Sequence, residues 1–154
     1  MRQAGDAGDP GMRVGYELKR AQAALRSRMD EALRPLGLTT PQYSCLDSLS
    51  RAPGQSNSDL ARSVFVTRQT MNALLRSLAD RGLVERAETA PRGRARPTTL
   101  TPAGRGLLSR ASGQVEAVVG QMIRGLSIDD AEALGRALTR CADSLDEGVP
   151  RGRV

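Results

Sequence analysis

The chain has 154 residues, a formal net charge of +6 and only 2% aromatic side chains, which leaves room for one domain, or a small domain with helical extensions, whose core is packed through Leu, Ala, Val and Met. Histidine is absent and the two cysteines, Cys45 and Cys141, lie far apart. That removes Ser/His and Cys/His catalysis and the common zinc sets, so no enzyme, metal or cofactor is expected.

No apolar run approaches the roughly eighteen residues of a membrane span, and no secretory signal opens the chain, so a cytoplasmic protein is expected. Residues 1–12 are glycine-rich and patternless and read as a disordered leader. Val14, Leu18, Ala21, Leu25, Met29 and Ala32 then recur at helical steps, predicting a helix of about twenty residues within 13–36 that ends before Pro35. Thr40 as N-cap and Pro41 as first helical residue predict a second helix, with Tyr43, Leu46 and Leu49 for the core and Pro53-Gly54 as its stop. Cys45 lies in that helix with no basic residue immediately beside it, so it reads as a small buried hydrophobe, and Cys141 reads the same way.

Ser56-Asn57-Ser58-Asp59 offers N-caps for a short helix carrying Leu60, Ala61 and Val64, and Phe65-Val66 makes a tight link to the next. That next helix is bounded by Thr67 as N-cap and Gly82 as stop. Met71, Leu74, Leu75 and Leu78 form its apolar stripe, Gln69, Asn72 and Arg76 fall on the opposite side, and Arg68 sits on the shoulder of the first turn. Two helices joined by a short turn, the second polar on its outer side, make a helix-turn-helix. Arg, Gln and Asn match guanine and adenine edges in the major groove, although any solvated helix face can carry them. Leu83 to Glu88 and Arg96 to Leu100 predict a hairpin, a wing. Its tip alternates Arg92, Arg94 and Arg96 around Gly93, a comb suited to a backbone or a narrow minor groove, or else a solvated basic loop.

From Gln55 to Arg105 nine arginines face four acids, a surplus of about five that accounts for nearly all of the net charge and points to a polyanionic partner. Thr101-Pro102 starts a helix with Leu107, Leu108, Ala111, Val115, Val118, Val119 and Met122 on one face. Gly106, Gly113 and Gly120 recur on the other, as a close helix contact or as tolerated surface glycines. Ser127-Ile128-Asp129-Asp130 caps a last helix bearing Ile128, Ala131, Leu134, Leu138, Cys141 and Leu145. These terminal stripes exceed what the small winged core covers, which predicts a two-fold dimer; the alternative is a three-helix bundle within one chain.

Leu38-Thr39-Thr40-Pro41-Gln42, Asp59-Leu60-Ala61, Arg68-Gln69-Thr70, Leu78 to Arg86 and Leu100 to Gly104 follow one another in an order and spacing that resembles the MarR family of winged helix-turn-helix regulators. The resemblance implies a mainly α fold with a small β wing, the winged core (38–101) being flanked by an N-terminal dimerisation helix (13–36) and C-terminal dimerisation helices (102–147), with 148–154 as tail. It implies a homodimeric repressor on a palindromic operator of double-stranded DNA, contacted by Thr67, Arg68, Gln69, Thr70, Asn72, Arg76, Arg92, Arg94 and Arg96. A small aromatic or phenolic effector is implied too, with Tyr43 as pocket wall. The family's wing carries Asp-x-Arg where this chain has Arg92-Gly93-Arg94, which predicts a looser wing with added phosphate attraction. A nonspecific or architectural nucleic-acid protein, and a cysteine-based redox-sensing regulator, are the competing readings.

Overall fold

The computed structural model describes residues 8–87 and 97–147. Helix α1, Pro10–Leu33, starts earlier than its apolar periodicity suggests, because Asp9 accepts from the Gly11 amide at 3.0 Å and Pro10 takes the first turn, where no amide is needed. Pro10 to Met12 therefore belong to the helix and not to a leader. A 3-10 turn, Arg34–Leu36, follows and ends on Gly37 at φ 67°.

Helix α2, Thr40–Arg51, is capped by Thr39 rather than by Thr40. The Thr39 hydroxyl accepts from the Gln42 amide while the Gln42 side chain accepts from the Thr39 amide, a reciprocal box that Thr40 could not form with Tyr43. Thr40 instead donates to the Asp30 carboxylate at 2.6 Å and ties α2 to α1. At the other end Gln55 donates to the carbonyls of Ser48, which also accepts from the Ala52 amide, and of Ala52 itself, tying the chain after α2 back to its last turn.

Ser56 caps α3, Asn57–Val64, and Thr67 caps α4, Arg68–Asp80, each through the amide three residues on. Phe65 joins them in the left-handed region at φ 60°, with its ring 94% exposed. Gly82 at φ 69° ends α4, and the Leu83 amide reaches back to the Leu78 carbonyl. Strands β1, Val84–Arg86, and β2, Thr98–Leu100, pair antiparallel with Val84 opposite Leu100. Helix α5, Pro102–Ile123, begins hard against this hairpin: a Cβ on Gly104 would lie 2.0 Å from the Leu83 carbonyl oxygen, so only glycine fits.

Contacts divide the chain into Met1–Val118 and Val119–Val154. In the first unit Leu33, Leu46, Leu49, Leu60, Met71 and Leu78 are fully buried, and Leu75, Leu83, Val84, Leu100, Leu107, Leu108 and Ala111 are among the residues that share their core. The second unit holds α6, Ile128–Glu147, capped by Ser127 through the Asp130 amide; no residue of α6 is buried. Its Ile128, Leu134, Leu138 and Leu145 are exposed, as are Met12, Val14, Tyr16 and Leu18 of α1. Gly106, Gly113 and Gly120 meet no side chain and no other segment's backbone within 4 Å of where a Cβ would stand.

Candidate nucleic-acid interface

Helix α4 is held down by Met71, Leu75 and Leu78, which are buried, with Leu74 half-buried beside them. Burying that stripe turns Arg68, Gln69, Asn72 and Arg76 outward, and all four are exposed. Thr67 and Thr70 complete the first turn: the Thr67 hydroxyl accepts from the Thr70 amide at 3.1 Å and donates to the Thr70 hydroxyl at 3.0 Å, leaving the Thr70 proton to point elsewhere.

Between α4 and the hairpin runs a groove of about 460 Å³. Leu75, Ala79, Val84 and Thr98 line it, and Asn57, Asn72, Arg76 and Arg86 supply most of its polar groups. Asn57 donates through Nδ2 to Asn72 Oδ1 at 2.8 Å. Arg86 and Asn57 were not among the expected site residues. Arg86 shares the strand face of buried Val84, two positions away, and its place at the groove follows from the hairpin register; in sequence Asn57 offers only a helix cap.

No carboxylate among the described residues lies within ion-pair distance of Arg68, Arg76 or Arg86. Among the described residues, by contrast, Arg62 pairs with Asp59 and Arg51 with Asp47. The Asp59 carboxyl is held below the usual range by the hydrogen bond from Ser56 and then by the Arg62 guanidinium. Arg92, Arg94 and Arg96 lie outside the described residues. Among the described residues no cluster of acids and cysteines could hold a metal ion, and no helix is long and apolar enough to cross a membrane.

On another side of the first unit, α1, α2 and the turn after α3 enclose a groove of about 320 Å³ lined by Gln22, Leu25, Arg26, Met29, Thr40, Pro41, Ser44, Val64, Phe65 and Val66. Tyr43, expected as a pocket wall, is not among them; it is half-buried and packs on the core, because the side of α2 that faces this groove is that of Thr40, Pro41 and Ser44. Cys45 is fully buried, its Sγ 3.8 Å from Met71 Sδ, and burial pushes its thiol up to about 12. At neutral pH Cys45 therefore holds its proton, as expected of a small hydrophobe packed in the core. Cys141 is exposed.

Residues 36–95 match the family model described as MarR family. The chain is similar to the HTH-type transcriptional repressor Rv2887 of Mycobacterium tuberculosis, with 42% identity over 127 residues that cover 82% of this chain and 91% of the repressor. Rv2887 in complex with DNA superposes with a TM-score of 0.68 at 40% identity, covering 82% of this chain and 95% of Rv2887. Rv2887 in complex with salicylic acid gives 0.70 at 40% identity over 88% and 98% of the two chains. The transcriptional repressor CouR bound to a 23-mer DNA duplex gives 0.78 at 29% identity over 92% and 99%. With the winged helix-turn-helix in place and relatives this similar along nearly their whole length, the chain belongs to the MarR family of transcriptional regulators.

Proposed function

We propose that the protein is a repressor that occupies a palindromic DNA operator as a homodimer and is released by a small aromatic acid. One observation carries the reading: the outer side of α4 presents Arg68, Gln69, Asn72 and Arg76 uncovered, with no acid among the described residues paired to either arginine. A helix of this kind fits the major groove, where Arg pairs with guanine and Gln with adenine. Thr67 and Thr70 in its first turn, and Arg86 beside the groove, approach phosphates, and Arg92, Arg94 and Arg96 extend the contact along the wing.

The apolar residues exposed on α1 and α6 support a second copy as their cover. Two-fold symmetry then sets the reading helices about 34 to 36 Å apart, one DNA turn. For the effector, the groove beside α1 and α2 sets Leu25, Met29 and Val64 against the Ser44 hydroxyl and the Arg26 guanidinium, whose Nε stands 3.9 Å from the Asp30 carboxylate, a lining that suits an aromatic carboxylate. Salicylic acid bound to Rv2887 supports the same ligand class here. Such a ligand releases DNA only by binding the DNA-free state more tightly.

Anisotropy titration of the duplex flanking the coding region against a scrambled duplex, at two salt concentrations and with or without salicylate, tests this. The expected result is a preference of at least about a thousandfold for one site, lost on adding salicylate, and a mass of two chains by light scattering. Equal affinity for both duplexes overturns the regulator reading, and a one-chain mass at all concentrations overturns the dimer.

A further inference from the structure

We propose that Asn57 is a specificity-determining positioning residue, fixing which end of the Asn72 amide faces the DNA, so that Asn72 reads hydrogen-bond acceptors on a base edge instead of gripping adenine with both ends. The inference rests on the assignment of α4 as the reading helix.

Asn57 and Asn72 belong to different helices, and the 2.8 Å bond from Asn57 Nδ2 to Asn72 Oδ1 spans fifteen positions of sequence. Asn57 is the first residue of α3, and its backbone is well held. The Ser56 hydroxyl accepts from the Asp59 amide at 3.1 Å and donates to the Asp59 carboxylate at 2.7 Å, while Arg62 closes on the same carboxylate. Asn72 is one turn before Arg76 on the uncovered side of α4, and both asparagines line the groove that Arg76 and Arg86 share.

An asparagine amide has one acceptor end and one donor end. Reading adenine takes both, the carbonyl accepting from N6 and the amino group donating to N7. With the Asn72 carbonyl turned to α3, its amino group is the end left for DNA. Guanine offers adjacent acceptors at N7 and O6 and suits that group, whereas the amino group of cytosine opposes it donor to donor. Removing Asn57 frees the amide to rotate and restores the two-ended adenine contact. Exchanging Asn57 for aspartate does more: a carboxylate only accepts, so the Asn72 amino group must turn inward and its carbonyl outward, toward bases that donate.

The test is selection from random duplexes by the full chain and by its Asn57→Ala, Asn57→Asp and Asn72→Ala variants, each first shown to melt cooperatively. The wild type is expected to enrich guanine at one column of each half-site, and Asn72→Ala to flatten that column. At the same column Asn57→Ala should move the preference toward adenine by about tenfold, and Asn57→Asp toward adenine or cytosine. Any uniform weakening from the added negative charge leaves the column profile unaffected. Unchanged columns in both Asn57 variants, or changes confined to columns that Asn72→Ala does not touch, overturn the inference while the regulator reading stands. A wild-type protein that enriches no sequence overturns both.

Discussion

Replacing Gly104 with alanine should damage the joint between the wing and α5 out of proportion to a single methyl group. The new Cβ would sit 2.0 Å from the Leu83 carbonyl oxygen, and real Cβ contacts do not fall below 3.0 Å, so backbone must separate by at least about 1 Å. The same oxygen accepts from the Thr101 amide at 3.1 Å, and the Thr101 hydroxyl donates to the Gly82 carbonyl at 2.6 Å, so the displacement strains two hydrogen bonds as well. Overpacking costs about 1–3 kcal/mol and each weakened bond up to about 1 kcal/mol, against a helix-propensity gain of up to about 1 kcal/mol. A net loss of about 2–4 kcal/mol lowers Tm by roughly 5–15 °C in a chain of this size. Calorimetry at matched protein concentration measures it, with Gly106→Ala as control: nothing lies within 4 Å there, so that variant should gain about 1 kcal/mol and melt about 2–4 °C higher. A Gly104→Ala protein melting with or above the wild type would refute the packing argument.

Cys45 makes stability fall in alkali. Its folded thiol titrates near 12 against the ordinary 9.0, so above pH 9 the unfolded chain sheds a proton that the folded chain keeps. The slope contributed is up to about 1.4 kcal/mol per pH unit in that window. Chemical denaturation from pH 8 to 11 should show it, and Cys45→Ala should flatten the curve. In the native protein at neutral pH a thiol reagent should label Cys45 only on unfolding; rapid labelling of Cys45 contradicts its burial. Gln55→Ala removes donors to the Ser48 and Ala52 carbonyls and should lower stability by about 1 kcal/mol, read as a Tm shift of about 2–4 °C. Arg94→Ala should weaken binding to specific and random duplexes alike and reduce the salt slope by about one; unchanged affinity for both removes Arg94 from the contact.

What could be read from the chain alone was what local chemistry decides. Thr67 and Gly82 bracket α4 as expected because a cap and a left-handed stop act within one turn, and the buried Met71, Leu75 and Leu78 orient Gln69, Asn72 and Arg76 by period alone. The near misses are local contests with two entrants. Thr39 takes the cap from Thr40 because only Thr39 has a glutamine three residues on, and Asp9-Pro10 starts α1 ahead of the first periodic residue. What stayed hidden depends on distant segments meeting. Gly104 is needed because of Leu83, Arg86 reaches the groove through hairpin register, and Asn57 finds Asn72 only once α3 and α4 have packed. Tyr43 shows the same dependence: its packing against the core is set by the neighbours of α2 and not by its own position in the helix.

The Thr101 hydroxyl binds the carbonyl that follows α4 while accepting from the amide that opens α5, and the Leu83 oxygen is wedged against Gly104 in the same place. Such a junction has no slack. A tilt imposed on the first turns of α5 cannot be absorbed there and is passed on to the C-terminal end of α4, as torque passes through a welded elbow, so compliance has to reside elsewhere in the chain.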